Sequence, residues 1–489
     1  MNAPPPVDLA GSAKHGVRWS SLSSAAVGLL QLLQIAALAR ILVPDEFAIA
    51  AVATIAVTVL RSYADFGLAG AIVHYQRVEE DELSTLYWFT LLIGMGLALL
   101  VAACAPLIAQ FYAKPQLAGV LQILSPSIVF ATLGGQYRAL HQKRLAFGVL
   151  AFANIAAAAT SCTVAVATAL LGFGVYSIAL GALFASIVGA IVVVATGTAV
   201  YRPMLVFRLS KVNRLLRFGA YQVAERTLNF FNMEMDSLIL GKLANMTALG
   251  YYAPLKTLCL QPIALINPIL TGVSFPIMSA VQDDVRRVAR IYLLQLRAIA
   301  SLTAPLYMFT VVAAQPLILC VLGPRWVEGA PILRVLALYG FLISIGNPVG
   351  SLLLATGNAR RSFLWNLGVS CLVPLSILAA APHGATVVAI TMVVLQVVLT
   401  VPGWRYLIWP SAGAGLGEYL ASFILPLALA AIAAVAVLPI VSWDVRSSAK
   451  LIVMASLGGG LYGALSWFLN HNIVALLMKT AFHSSSKPT

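Results

Sequence analysis

The stretch LARILVPDEFA at residues 38–48 returns as LGKLANMTALG at 240–250. At a constant offset of 202, Leu38, Arg40, Ile41, Phe47 and Ala48 face Leu240, Lys242, Leu243, Leu249 and Gly250, so a basic and a small residue recur in register. Pro106-Leu107-Ile108 is echoed by Pro316-Leu317-Ile318, and Leu133-Gly134 with Leu140 by Ile345-Gly346 with Leu352, at an offset about ten longer. Two related halves therefore make up most of the chain. Internal symmetry of this kind in a membrane chain points to a carrier with its site at the repeat interface.

Composition places the chain in a bilayer. Its 489 residues are 61% hydrophobic and 9% charged, a balance foreign to soluble domains. Apolar runs of about 20 residues, each sufficient to cross ~30 Å of hydrocarbon, tile the sequence from Trp19 onward, about fourteen in all. The N-terminal basic residues run straight into a full-length span with no small-residue cleavage site, so the first span reads as a retained anchor. The five cysteines stand singly in apolar runs, which fits buried hydrophobes better than a disulfide or zinc framework.

The net charge of +14 is a topology signal and not a nucleic-acid footprint. With the N-terminus inside, nineteen of the thirty Lys and Arg fall on the cytoplasmic side, seven on the other and four inside spans. The bias puts both termini in the cytoplasm. The expected fold is all-α and polytopic: two six-helix bundles related by a pseudo-twofold along the membrane normal, plus two C-terminal helices. The expected divisions are 1–200, a basic cytoplasmic linker at 201–217 (YRPMLVFRLSKVNRLLR), 218–410, and 411–489 with its tail. For the last two spans, extra packing or a lipid-facing groove is expected.

Every loop is too short to fold as a domain, and the sequence carries no Walker motif, HExxH, Gly-rich nucleotide loop or paired His/Cys spacing. Enzymatic function is not expected, nor a metal or organic cofactor. Four basic residues lie inside spans: Arg61, Arg226, Lys256 and Arg297. A cation at mid-bilayer costs roughly 2.5–3.5 kcal/mol on insertion scales, so it faces a cavity or a partner. Asp65 stands one turn from Arg61 and offers an intrahelical pair. Glu225 adjoins Arg226 but points about 100° away. Lys256 has no acidic residue within four positions, and Arg297 is near enough to a span end to snorkel.

Glu225, Asn229, Asn232 and Asp236, spaced i, i+4, i+7, i+11, make a polar stripe on the seventh span. The first span offers Ser20, Ser24, Gly28, Gln31 and Gln34 on one side. Such stripes line a helix interface or a wet cavity. Proline and asparagine interrupt other spans at Pro262, Asn267-Pro268, Pro276 and Asn347-Pro348, where freed carbonyls permit bending.

ALARILVPDEFA (37–48), DFGLAGAIVHYQ (65–76), LSTLYW (83–88), QYRALHQKRLAF (136–147), LRFGAY (216–221), NMEMDSLILGKL (232–243), FPIMSAVQDD (275–284) and IGNPVGSLLLATG (345–357) occur in an order and spacing that resemble one family. The chain is similar to the Wzx-type polysaccharide flippases, the polysaccharide-transporter branch of the multidrug/oligosaccharidyl-lipid/polysaccharide (MOP) exporter superfamily, and within it to those for colanic-acid-type and xanthan-type polymers. The resemblance implies a twelve-plus-two helix arrangement in the bacterial inner membrane. It implies a cargo, an undecaprenyl-pyrophosphate-linked oligosaccharide repeat unit turned from the cytoplasmic to the periplasmic leaflet for exopolysaccharide or lipopolysaccharide synthesis.

On that reading Arg61, Arg226 and Lys256 bind the pyrophosphate. Gln31, Gln34, Asn229 and Asn232 with Tyr63, Tyr221, Phe230 and Tyr252 face the sugars, and Asp65, Glu225 and Asp236 serve proton or sodium coupling or act as counter-ions. Partners are the lipid-linked glycan, membrane lipids, and a polymerase and chain-length regulator of the same pathway, with no nucleic acid. Two other cargoes stay open: a peptidoglycan lipid precursor, and a drug or organic cation carried by an exporter of the same superfamily.

Overall fold

The structure, a computed structural model, describes residues 9–65, 72, 78–199, 201–443 and 445–470, and all regular elements among them are helical. Hydrocarbon offers no partner to a backbone amide, so each span must satisfy its own hydrogen bonds, and only a helix does this within one segment. Thirteen helices among the described residues are long and apolar enough to cross a membrane.

Two compact units divide the chain, Met1–Gly250 and Tyr251–Thr489. The first holds α1 (Leu9–Ile41), α2 (Pro44–Ala64), α3 (Glu80–Phe111), α4 (Gln116–Leu124), α5 (Pro126–Lys143), α6 (Phe147–Leu170), α7 (Tyr176–Gly197) and α8 (Asn213–Leu243). Helix α9 (Met246–Ala280) carries the unit boundary. The second unit continues with α10 (Val285–Val312), α11 (Ala314–Val321), α12 (Ala330–Gly346), α13 (Pro348–Ala355), α14 (Ala359–Ala380), α15 (Ala385–Gly403), the short α16 (Trp409–Ala412), α17 (Leu416–Ala436) and α18 (Ser447–Leu469). Helix α8 is 31 residues long, ample for a crossing at 1.5 Å per residue. It is not among the thirteen because its stripe of Glu, Arg, Asn and Asp lowers its apolarity.

In the first unit α7 packs on α6 and α5, α1 on α6, and α2 on α4 and α8. Small residues allow the closest approach: a Cβ at Gly181 of α7 would stand 2.8 Å from the Ser161 carbonyl oxygen of α6, the close backbone packing that replaces a hydrophobic drive inside lipid. In the second unit α10 is the hub, packed against α12 and α17, while α18 lies on α17 and α11. The last two spans thus pack onto α10 and α11. They also line an apolar groove that includes Pro305, Phe309, Ala433, Gly458 and Gly459.

The repeated motif marks helix junctions. Its first copy runs from the end of α1 through Leu42-Val43 into α2, and its second from the end of α8 through Ala244-Asn245 into α9. Within the first unit the copies touch at equal positions. The Thr247 hydroxyl donates to Asp45 Oδ1 at 2.5 Å, and 45 and 247 differ by the motif's own offset of 202. Lys114 holds the other carboxylate oxygen at 2.7 Å. A Cβ at Gly250 would fall 2.0 Å from the Pro44 carbonyl oxygen, so only glycine fits. The basic pair of the motif has a visible role in its second copy, where Lys242 caps the Phe111 carbonyl and sits 4.2 Å from the Phe111 ring centroid.

Proline within a span leaves the carbonyl four residues earlier without its donor. Among the described residues, three such carbonyls are seen captured by side chains. Pro126 frees that of Gln122, which Ser125 Oγ engages at 3.0 Å; Pro305 frees that of Ser301, taken by the Tyr462 hydroxyl at 2.8 Å. Pro348 frees that of Ser344, and buried Asn267 of α9 donates to it at 3.1 Å. The break at Asn347-Pro348 is therefore pinned, a more fixed arrangement than the bending expected from sequence.

The segment after α7 folds back along the start of α3. Tyr201 enters a core with Leu86, Tyr87, Tyr137 and Val193, and its hydroxyl lies 2.6 Å from Ser84 Oγ. Burial pushes its ionisation up to about 12, with the Ser84 hydrogen bond pulling the other way.

Two expectations follow. Asn267→Ala strands the Ser344 carbonyl and lowers stability by about 1–3 kcal/mol, the cost of a buried unpaired polar group; a thermal midpoint in detergent equal to wild type would show that another donor takes its place. A free tyrosine ionises near 10, so the docked segment keeps its full stability below about pH 10 and loses it as pH rises through 12. Difference titration of tyrosinate absorbance, wild type minus Tyr201→Phe, should isolate a step near 12 and not near 10.

Candidate functional site

Helix α2 begins at Pro44, which needs no amide partner at a first-turn position. The Glu46 carboxylate accepts the Val43 amide at 2.9 Å, and Asp45 and Glu46 place negative charge at the helix's positive end. At the opposite end the last turn carries Arg61 and Tyr63, and Asp65 is the C-cap. A cation there complements the negative helix terminus, yet the Arg61 side chain is exposed on the helix surface.

Among the described residues, Arg138 is close enough for its positive charge to act on Arg61, and the carboxylate of Asp65 stands one turn along from Arg61. Arg138 lies inside α5, five residues before its last, although its sequence position groups it with flanking charges. Its Nη1 donates to Asn154 Oδ1 of α6 at 2.9 Å. Gly189 of α7 gives the guanidinium room, since a Cβ there would sit 3.0 Å from Nη2. An amide oxygen fixes the guanidinium in place without neutralising it. Two like charges near each other in a low-dielectric setting favour an anion beside them.

Asp65 turns toward α5, where its Oδ1 is 3.6 Å from the position a Gly135 Cβ would take. It lines a small cavity with Thr90, Thr132 and Gln136, with space for about one water. Gln136 donates to the Leu83 carbonyl at 2.9 Å, and its Oε1 is buried without a hydrogen bond.

Helix α8 joins the same region. Tyr63 OH and Thr227 Oγ1 are hydrogen-bonded at 3.0 Å, so the 225–227 turn of α8 is held against the last turn of α2. The side chains of Glu225, Arg226, Asn229 and Tyr221 lie outside the described residues, as does most of 65–76. Further along α8, Asn232 is half-buried and its Oδ1 has no hydrogen bond. Asp236 is buried and accepts from the Ser237 amide at 2.7 Å and hydroxyl at 3.3 Å.

On α1, Ser20, Ser24 and Gln31 are exposed, Gln34 is half-buried and Gly28 is buried. In the second unit Lys256 is buried on α9, as is Tyr252. The Arg297 Nε of α10 is buried without a hydrogen bond. The first unit thus brings together Arg61, Tyr63 and Asp65 with Arg138, Asn154 and Gln136. The last three were not singled out from sequence.

The family described as "Polysaccharide biosynthesis protein" matches residues 37–331. The chain belongs to this family. It is 30% identical over 421 residues to the lipopolysaccharide biosynthesis protein WzxC of Escherichia coli (strain K12), covering 84% of each chain. It is 29% identical over 431 residues to the teichuronic acid biosynthesis protein TuaB of Bacillus subtilis (strain 168), covering 85% of this chain and 83% of that one. Membership bears out the Wzx-type resemblance.

Among solved structures, the lipid II flippase MurJ in an inward closed conformation superposes with a TM-score of 0.77 at 14% identity, covering 94% of this chain and all of the other. A multidrug resistance transporter of the MATE family, from the MOP superfamily, gives 0.59 at 13% identity, covering 86% and all of the other. At these identities the likeness shows the fold: the chain is an all-helical multi-pass membrane protein that shares the fold of these two transporters.

The bond between Tyr63 and Thr227 is testable alone. A double-mutant cycle of Tyr63→Phe and Thr227→Val should give a coupling of about 0.5–1.5 kcal/mol in unfolding free energy; additive single mutants would mean that the hydroxyls do not meet.

Proposed function

We propose that the protein is a flippase for undecaprenyl-pyrophosphate-linked oligosaccharide repeat units, moving them from the cytoplasmic to the periplasmic leaflet of a bacterial inner membrane for exopolysaccharide or lipopolysaccharide synthesis. The observation that carries this reading is the placing of Arg138, anchored on the neutral Asn154, close enough for its charge to act on Arg61. A pyrophosphate is the complement of such a pair: it brings two or more negative charges and several acceptor oxygens, and guanidinium groups bind these by charge-assisted hydrogen bonds. Lys256, and Arg226 one residue before Thr227, are the further cations assigned to the head group.

The sugars follow the head group. Hydroxyl-rich cargo is matched by amide and aromatic side chains, so Gln31, Gln34, Asn229 and Asn232 with Tyr63, Tyr221, Phe230 and Tyr252 are assigned to it. The polyprenyl chain stays in lipid, where it loses nothing. Movement is by alternating access with no covalent chemistry, and both termini are in the cytoplasm. Energy comes from a proton or sodium gradient, or from consumption of the product by a polymerase and chain-length regulator. Asp65, beside its polar hollow, is the first candidate for coupling, followed by Asp236 and Glu225.

Two other cargoes are separable. A peptidoglycan lipid precursor carries the same pyrophosphate, and the fold of a lipid II flippase is close to this one. A multidrug resistance transporter shares the fold as well, but a cation pair repels an organic cation.

The decisive assay is translocation of a lipid-linked oligosaccharide in reconstituted vesicles. Each charge-assisted contact to phosphate is worth about 1.5–3 kcal/mol, so joint reversal Arg61→Glu and Lys256→Glu should reduce transport by a factor of 100 or more, at about tenfold per 1.4 kcal/mol. Undiminished transport by that double variant would remove the assignment. Complementation of strains lacking either a polysaccharide or a lipid II flippase distinguishes the two lipid-linked cargoes.

A further inference from the structure

The segment Tyr201–Leu209, YRPMLVFRL, has no part in the proposed transport site, yet it is held with unusual care. Its backbone is clamped to the first turns of α3 at alternate residues. The Ser84 hydroxyl accepts the Met204 amide at 3.1 Å and the Trp88 indole donates to the Met204 carbonyl at 2.9 Å. Thr85 accepts the Arg208 amide at 3.1 Å. Buried Tyr201 anchors the segment's start. A tight turn, closed by the Val206 amide onto the Met204 carbonyl at 2.8 Å, puts Leu205 at its tip.

With the backbone engaged in this way, large apolar side chains are left uncovered: Leu205 is 90% exposed, and Met204, Phe207 and Leu209 are exposed as well. Arg202 precedes them, Arg208 stands between Phe207 and Leu209, and both are exposed. Arg202 touches the Thr198 carbonyl only through Nε, at 3.4 Å, and Arg208 is loosely paired with Asp81 at 3.7 Å. Both leave guanidinium nitrogens available.

The level of this ridge follows from α3. Its 32 residues measure about 48 Å at 1.5 Å per residue, against about 30 Å of hydrocarbon. Its first turn is acidic, and Glu80 is exposed and Asp81 half-exposed, so this end belongs in water. The clamping residues between Ser84 and Trp88 therefore stand at headgroup depth. A chain tied there, continuous with spans at both ends, presents its free side to the leaflet.

We propose that Tyr201–Leu209 is an interfacial anchor that seats Leu205, Phe207 and Leu209 at the headgroup–acyl boundary of an anionic leaflet, with Arg202 and Arg208 against lipid phosphates. Apolar burial supplies the insertion and the arginines select the charge of the lipid. The proposal stands apart from the identity of the cargo. It requires only that the helices cross a membrane.

The test is photocrosslinking of the full-length protein in nanodiscs of phosphatidylethanolamine and phosphatidylglycerol, with Leu205→p-benzoylphenylalanine, a change at a side chain that packs on almost nothing. Intact mass should report addition of single phospholipids, with phosphatidylglycerol enriched over its mole fraction. Arg202→Gln and Arg208→Gln should each cut that enrichment about fivefold. Leu99, 70% exposed at the middle of α3, is the lipid-facing control, and Phe207→p-benzoylphenylalanine is the second probe if the first is poorly produced. Crosslinks to protein in place of lipid, or none where Leu99 gives lipid adducts, would overturn the anchor. Adducts that mirror bulk lipid composition would overturn the role of the arginines.

Discussion

A polar group that enters hydrocarbon must bring its own partner, and this constraint governs the molecule from backbone to site. It explains why the described elements are helices, and it explains where polar side chains go when a helix is interrupted. Pro126, Pro305 and Pro348 each free a carbonyl, and Ser125, Tyr462 and Asn267 each bind it. Two of these captures come from a different helix, so an interruption in one span becomes a tie to another. Helix breaks here are cross-links, and α9, α10, α12 and α18 are joined through them.

The same constraint gives the charged residues their meaning. Where a cation is answered by protein, it is structural: Lys114 by Asp45, Lys242 by the Phe111 carbonyl and ring. Arg61 and Arg138 differ: Arg138 acts on Arg61 with a like charge, and its own anchor is a neutral amide. The contrast separates scaffold from site by what each guanidinium or ammonium faces, not by how deep it lies.

Much of the fold was legible because hydrophobic length is a property of single segments, and because the repeat at 38–48 and 240–250 needs only a comparison of the chain with itself. Arg61 and Asp65 were legible for the same reason: a charge within an apolar run stands out locally. Arg138 was not, since sequence cannot say that α5 continues to Lys143 and keeps that residue inside the helix. Its partner was in principle within reach. Residues 138 and 154 are equally distant from the tight junction at Ala146, so an antiparallel pairing of α5 and α6 places them at one level. The contact of Tyr63 with Thr227 has no local signal, because 164 residues separate them. The polar stripe of α8 was visible, but which neighbour it meets depends on tertiary packing.

The meeting of Asp45 with Thr247 says something about duplication itself. In a symmetric dimer of half-length chains, residues beside the twofold face their own copies, and two aspartates there would repel. Joining the copies in one chain releases each position to change alone. An acceptor can then stand opposite a donor, with Lys114 to balance the charge. The asymmetry that a carrier needs on its inside is therefore already present where the repeated motifs touch: fusion lets equal positions cease to be equal, and a carboxylate meets a hydroxyl there.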